Sequence, residues 1–197
     1  MNTPSHLIIN AALRKYAVAG SAPRISRSAF LLGAVLPDIP LWLLWAGTLA
    51  YHRLVRGDAD YPIWSEAYDR LYFSNPLWLA GHNLFHGPAL LLMGLALLWR
   101  FRSPPGTRAH WLFWLFAGCL VHTGLDIPVH VDDGPLVFFP FEWSTRFHSP
   151  LSYWNPRYFG REFAIFELVL NLALLGYLFG PGLWRRLRRG AGAPEGR

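Results

Sequence analysis

Two pairs of polar residues, each spaced four apart, stand inside otherwise apolar stretches of this 197-residue chain. The first pair is His82 and His86, and the second is His122 and Asp126. Residues i and i+4 of an α-helix lie on one face about one turn apart, so each pair can hold a shared ion. Because histidine nitrogen and carboxylate oxygen are ligands of zinc and similar divalent metals, the spacing predicts a metal site.

Three further residues extend the predicted site. Asp38 is flanked by Pro37 and Pro40, which predict a break in the helix and backbone facing a polar cavity. His6 stands near the start of a predicted N-terminal helix and can reach the same depth, while His130 continues the four-residue series. The set exceeds the four ligands of one structural zinc site, so we expect one or two divalent metal ions, with zinc as the expected metal. The predicted metal ligands are His6, Asp38, His82, His86, His122, Asp126 and His130.

Polar residues in apolar segments also have other uses. A lone histidine in a membrane span is more often a packed, hydrogen-bonded residue than a ligand. Ion relays and hydrogen bonds between helices also retain such residues in lipid. The sequence therefore leaves three hypotheses for this cluster: metal binding, ion or proton movement, and structural hydrogen bonding.

The composition indicates a membrane protein. Hydrophobic residues make up 53% of the chain, aromatic residues 16% and charged residues only 15%, unlike a soluble globular protein. The formal charge of +6 comes from short basic runs beside apolar stretches, a pattern that indicates topology. We therefore expect membrane lipids as partners and no nucleic acid.

The elements expected to position the cluster are helices. Four segments are long and apolar enough to cross about 30 Å of hydrocarbon: 30–50, 76–99, 111–127 and 163–184. A shorter N-terminal helix, capped by Thr3 with Pro4 in its first turn, is expected to cross halfway or lie at the interface. The predicted fold is all-α, a polytopic membrane helical bundle. It forms one domain over 1–190, followed by a disordered tail at 191–197.

The distribution of Arg and Lys predicts the orientation. Most of the basic residues lie in 14–27, in 100–108 and after 184, so these segments are expected on the cytoplasmic side. The prediction is a multi-pass protein of the bacterial inner membrane with both termini in the cytoplasm. The segments 51–75 and 128–161 would then face the periplasm, the second as an aromatic-rich cap.

Several motifs resemble those of a known family. They are Thr-Pro-Ser-His-Leu near the start, Leu-Pro-Asp-Ile at 36–39, the histidine pair, and the His-x-x-x-Asp at 122–126. Together they resemble the YdjM-like membrane-bound metal-dependent hydrolases, which are distantly similar to the zinc-dependent phospholipase C and P1 nuclease group. The resemblance covers most of the first 140 residues and implies metal roles for His6, Asp38, His82, His86, His122 and Asp126. The family commonly has a second Asp where this chain has Pro40, and a histidine pair spaced one residue wider.

The expected function is hydrolysis at the periplasmic face. A divalent metal lowers the pKa of bound water, and Asp38 or Asp126 would take the proton. Arg146 and Arg157 could hold the phosphate of a phosphoester or lipid-linked substrate, or could simply face lipid headgroups. The alternative is a non-enzymatic protein that binds or transports metal ions or protons through the same cluster.

Overall fold

The computed structural model describes residues 1–20, 24–103 and 105–191. Over these residues the chain forms helices and no β-strand, which confirms the all-α class. The α-helices are α1 (Thr3–Ala19), α2 (Arg27–Leu32), α3 (Ile39–Ala50), α4 (Ile63–Ser65), α5 (Tyr72–Ser74), α6 (Pro76–Asn83), α7 (Pro88–Leu98), α8 (Arg108–Asp126) and α9 (Gly160–Ala191). Shorter π and 3-10 turns occupy Tyr51–Val55, Glu66–Leu71, Trp99–Phe101, Ile127–Val129 and Pro156–Tyr158. Of the predicted disordered tail, 192–197 lies outside the described residues.

Two of the described helices are long and apolar enough to cross a membrane. They correspond to Arg108–Val129, which is α8 with its last turn, and to Gly160–Arg185 within α9. A third span exists if α6 and α7, which meet at 44°, are counted as one bent segment. The structure therefore supports a membrane protein with two or three spans, fewer than the four predicted.

The predicted span at 30–50 does not form as one continuous helix. Helix α2 ends at Leu32, turns fill 33–38, and α3 begins at Ile39. With 12 residues, α3 rises about 18 Å, which is short of the roughly 30 Å of a hydrocarbon core. Pro37 and Pro40 explain the interruption, because proline removes a helical donor and disfavours helix in the residue before it. The predicted break beside Asp38 is present.

Helices α1 and α9 lie side by side and run in the same direction. Toward the start of α1, Asn171 Nδ2 of α9 donates to Ser5 Oγ at 2.8 Å. Further along, Lys15 Nζ donates to the carbonyl of Leu178 at 3.0 Å. The first residue of the chain therefore lies near the start of α9, and the last described residue lies at its far end. The predicted placement of both termini in the cytoplasm is not supported by these contacts.

Helices α1, α2 and α8 pack backbone to backbone just below the cluster. A Cβ added to Gly118 of α8 would lie 2.5 Å from the carbonyl oxygen of Phe30, and one added to Gly33 would overlap the backbone at Leu115. Asn10 of α1 reaches into this contact, where its Nδ2 donates to the carbonyls of Phe30 at 3.1 Å and Gly118 at 3.2 Å. The absence of side chains at the two glycines allows this approach.

The break between α6 and α7 also has a local cause. Pro88 occupies the first turn of α7, where its missing N–H is tolerated. A Cβ on Gly87 would lie 3.0 Å from the carbonyl oxygen of Asn83 and 3.3 Å from Phe139 Cβ, so the turn is tight. Asn83 also accepts a hydrogen bond from the backbone N–H of Leu136 at 2.6 Å, which ties the segment after α8 to α6.

We expect Gly118→Ala to destabilise the protein, because the added Cβ would overlap the carbonyl of Phe30. Overpacking of this kind costs about 1–3 kcal/mol. Gly124→Ala is the matched control, since Gly124 lies on the same helix with nothing within 4 Å of its Cβ position. Thermal unfolding in detergent should show a clearly lower Tm for Gly118→Ala and an unchanged or higher Tm for Gly124→Ala. Equal Tm values for the two variants would contradict the described packing.

Candidate metal centre

The Asp126 carboxylate lies at the centre of the polar cluster. Its side chain is 5% exposed and stands at the end of α8. Oδ1 is 2.8 Å from the amino group of Met1 and 3.0 Å from His6 Nε2. Oδ2 is 3.0 Å from His122 Nε2 and 3.1 Å from His86 Nε2. One buried carboxylate therefore contacts nitrogen atoms from α1, from α8 and from the break between α6 and α7.

Four of the predicted ligands form a group that could hold a metal ion. One ligand atom from each lies within 4.8 Å of the others: Asp38, His86, His122 and Asp126. The break before α3 supplies Asp38, the turn after α6 supplies His86, and α8 supplies the other two. His122 and Asp126 are the i,i+4 pair predicted from the sequence, and their side chains meet at 3.0 Å.

His122 is oriented as a metal-bound histidine would be. His122 Nδ1 donates to the carbonyl of Ala34 at 2.8 Å, which leaves the lone pair of Nε2 facing the cluster. His6 stacks on His122 with ring centroids 3.6 Å apart. Nε2 of both residues is buried without a hydrogen bond, although each lies 3.0 Å from an Asp126 oxygen. Buried nitrogens rarely stay unsatisfied, so a cation between them and the carboxylates fits this donor set.

Asp38 is the more accessible of the two carboxylates. Its side chain is 20% exposed, and Oδ1 lies 3.5 Å from His122 Nε2. Thr3 Oγ1 donates a short hydrogen bond to Oδ2. Thr3 is the first residue of α1 and its hydroxyl is used here, so the predicted role of Thr3 as the helix cap is wrong. The residue before the helix is Asn2, whose side chain makes no capping hydrogen bond.

The other two histidines lie beside the four-residue group. His82 is in α6, but α6 ends at Asn83 and His86 falls in the following turn, so the pair does not share one helical face. His82 Nε2 instead lies 2.9 Å from the hydroxyl of Tyr72. His130 follows the end of α8, and its Nδ1 donates to the carbonyl of Asp126 at 2.8 Å.

Further polar residues support the cluster. Tyr72 donates to the carbonyl of Asp133 at 2.5 Å, and burial raises the pKa of the Tyr72 hydroxyl, which therefore stays protonated. Thr123 Oγ1 donates to the carbonyl of His86 at 3.0 Å, which fixes the turn that carries this histidine. Such contacts orient ligands and cannot be recognised from spacing, because they join residues far apart in the chain.

A cavity of about 780 Å³ reaches the cluster from outside. Asp38, His86 and Asp126 form part of its floor, whereas aromatic side chains and further carboxylates line the rest. This volume lies within the range of small-molecule sites, roughly 300–1,000 Å³. The candidate metal-binding group is therefore reachable by a ligand.

The two predicted phosphate-binding arginines do not line this cavity. The Arg146 guanidinium donates to the carbonyl of Gly134 and lies 4.9 Å from the centroid of the Tyr72 ring. Arg157 is exposed. Neither guanidinium is placed to contact a substrate at the cluster, and their role in binding phosphate stays a prediction.

Glu167 has a role that its sequence position did not reveal. It lies in α9 with 4% of its surface exposed, and its carboxylate binds the start of α1. Oε1 accepts from the backbone N–H of Asn2 at 2.8 Å, and Oε2 accepts from Asn2 Nδ2 at 2.7 Å. The only sequence signal was a carboxylate inside a span, where an unpaired charge is costly. Glu167 therefore anchors the segment that carries Met1, Thr3 and His6.

Comparisons with protein-family models, with curated proteins and with solved structures found no match to this chain. The resemblance to membrane-bound metal-dependent hydrolases therefore remains an expectation, and the site is interpreted from its own geometry.

We expect Asp126→Asn to remove bound metal, because Asp126 contacts three histidines and is the least replaceable member of the group. Elemental analysis of the purified protein should give a divalent metal at about one ion per chain, or two, in the unaltered protein and less than a tenth of that in the variant. His148→Gln is the control, since His148 is exposed and outside the cluster. Full metal content in Asp126→Asn would refute the site.

We expect Glu167→Gln to weaken both the fold and metal binding. The amide would place an N–H₂ group against one of the two donors of Asn2, which leaves a buried donor unsatisfied at about 1–3 kcal/mol. The displaced start of α1 should then lower metal affinity roughly tenfold or more. Glu162→Gln, an exposed change on the same helix, should alter neither Tm nor metal titration. A normal metal affinity in Glu167→Gln would show that α1 does not support the site.

Proposed function

We propose that this protein is a metal-dependent hydrolase embedded in the bacterial inner membrane. The observation that carries the proposal is a group of two carboxylates and two histidines, three of which, Asp38, His86 and Asp126, line an accessible cavity. Hydrolytic metal sites commonly use three protein ligands and keep one position open for water or substrate. The same arrangement is compatible with zinc and with other divalent transition metals.

The two carboxylates are suited to different tasks. Asp126, with its 5% exposed side chain and contacts to His6, His86 and His122, is the natural ligand. Asp38 is more exposed, lines the cavity and contacts the cluster at a longer distance. Asp38 would therefore accept the proton from an attacking water, with Thr3 holding its other oxygen.

The metal would supply Lewis acidity, which polarises the scissile group and lowers the pKa of water. The chain itself contributes orientation, since the Ala34 carbonyl fixes His122 and the Thr123 hydroxyl fixes the turn at His86. The surrounding helices exclude bulk water from the inner side of the group, because His6, His122 and Asp126 are almost fully buried. These features favour electrostatic stabilisation of a developing negative charge.

The packing below the cluster argues against the transport of ions through the bundle. An ion path would need polar groups or space continuing toward the other side of the bundle. One turn below His6 and His122, the backbones of α2 and α8 meet at Gly33 and Gly118, and Asn10 fills the remaining gap with hydrogen bonds. The described residues therefore give the cluster access from the cavity side, which is what an enzyme requires.

The basic residues support an orientation with the cavity toward the periplasm. The cluster lies where α8 ends and where α1 and α9 begin. Arg100 and Arg102 lie between α7 and α8 and Arg108 begins α8, all at the opposite end of the bundle, and Arg185 lies near the end of α9. Positive residues collect on the cytoplasmic side of inner-membrane proteins. With this orientation Met1 would lie on the periplasmic half and the end of α9 in the cytoplasm.

Hydrolase activity can be tested with chromogenic esters and phosphodiesters presented to the purified protein in nonionic detergent. We expect activity that is lost on chelation, restored by a divalent metal, and lowered about 100-fold or more in Asp38→Asn. The Asp38→Asn protein should keep most of its metal if Asp38 is the base, whereas Asp126→Asn should lose metal and activity together. Metal bound at full occupancy without hydrolysis of any probe would favour the non-enzymatic alternative.

A further inference from the structure

The outer part of the cavity is rich in carboxylates. Asp69, Asp132 and Asp133 line it in addition to the carboxylates at the floor, and no Lys or Arg is among the described residues of the lining. None of these three outer carboxylates forms an ion pair with another described residue. Carboxylates around a cleft with low-dielectric walls concentrate negative potential in it, which attracts cations and repels anions.

Aromatic faces accompany these carboxylates. Trp42, Trp64 and Trp154 line the same cavity, together with Tyr68, Phe73 and Tyr153. Trp154 Nε1 donates to Asp133 Oδ2 at 2.8 Å, so this hydrogen bond holds an indole ring beside a carboxylate at the opening. An aromatic face beside a carboxylate is suited to an organic cation, because the ring attracts positive charge while its apolar surface accepts alkyl groups.

One residue of the lining, His82, also has a buried nitrogen without a hydrogen-bond partner. His82 is 7% exposed and lines the cavity, and its Nδ1 has no hydrogen-bond partner. Because the Tyr72 hydroxyl donates to Asp133, His82 Nε2 carries the proton that binds the Tyr72 oxygen. Nδ1 of His82 is therefore a lone-pair acceptor that lacks an N–H donor.

We infer that the outer cavity binds an alkylammonium group, so that the substrate of the proposed hydrolase carries a positively charged amine beyond its scissile bond. That the ammonium group belongs to a substrate rests on the proposed function. The ammonium site itself does not depend on hydrolysis or on metal. Once a divalent cation offsets Asp38 and Asp126 at the floor, the outer carboxylates still leave the cavity negative. A dianionic phosphate monoester is disfavoured there, whereas a zwitterionic headgroup or a cationic amide or ester is accepted.

The test measures ammonium binding without any assay of activity. The purified full-length chain in nonionic detergent is titrated with butylammonium chloride at constant ionic strength, with tryptophan fluorescence as the readout. 1-Butanol is the neutral match in size. We expect a saturable change with butylammonium and none with 1-butanol, in the unaltered protein and in Asp126→Asn alike. Saturable binding in the Asp126→Asn protein would stand even if no metal and no hydrolysis were found, so the two proposals can fail separately.

Matched charge changes locate the binding site. Asp132→Asn with Asp133→Asn should raise the apparent Kd for butylammonium about tenfold or more, while retaining an acceptor for Trp154. Asp58→Asn with Asp60→Asn removes the same charge from exposed positions outside the lining and should leave the Kd unchanged. Asp69→Asn alone, at an exposed position, provides a second variant if the double change impairs folding. Equal Kd values for the variants at 132 and 133 and for the control variants at 58 and 60 would overturn the inference. A stronger fluorescence response to Ca²⁺ than to butylammonium would also overturn it.

Binding measurements in lipid nanodiscs distinguish a lipid headgroup from a soluble amine as the source of the ammonium group. In nanodiscs of phosphatidylglycerol with added phosphatidylethanolamine, competition with butylammonium would assign the site to a lipid headgroup. Undiminished butylammonium binding in the same nanodiscs would assign it to an amine from solution. Both results support ammonium recognition, and the loss of butylammonium binding in pure phosphatidylglycerol nanodiscs would contradict it.

Discussion

The structure depends on one buried charge. Asp126 ends α8 in a segment apolar enough to lie within a membrane, where an isolated carboxylate is costly. It is stabilised by the Met1 amino group, His6, His86 and His122, which come from three separate parts of the fold. Removing any partner leaves charge or lone pairs unsatisfied, so the position of α1 against α8 and the shape of the break after α6 are linked through a single side chain.

The breaks between helices allow several side chains to reach this buried carboxylate. A regular helix places residues four apart side by side, so α8 supplies two of the four ligands and the other two must come from other segments. The turn at 33–38 brings Asp38 to His122 and also presents the Ala34 carbonyl to the other nitrogen of that ring. The turn after α6 brings His86 to Asp126. The same turns explain why segments of suitable hydropathy do not all form single spans.

The i,i+4 rule predicted the contact between His122 and Asp126, because both lie within one uninterrupted helix. It placed His82 and His86 on one face and missed the end of α6, which depends on Gly87 and Pro88 fitting against the segment after α8. Mean hydropathy identified 30–50 as apolar, but it does not detect the turn at 33–38 that divides this segment. Contacts such as Glu167 with Asn2 join residues 165 apart and depend on how helices pack, which one sequence does not encode in its local pattern.

Charge separates the floor of the cavity from its opening. At the floor, two carboxylates face histidines that are neutral when they act as ligands, so a divalent cation brings the group close to electrical neutrality. The opening has carboxylates with no arginine or lysine to offset them in the described lining. Arg146 lies outside the lining, where its guanidinium binds the Gly134 carbonyl and lies behind the rings of Tyr72 and Phe73, which line the cavity. An anion entering from outside would therefore meet repulsion before it reached the floor, whereas a ligand with separated charges could place its positive end at the opening and its reacting group at the floor.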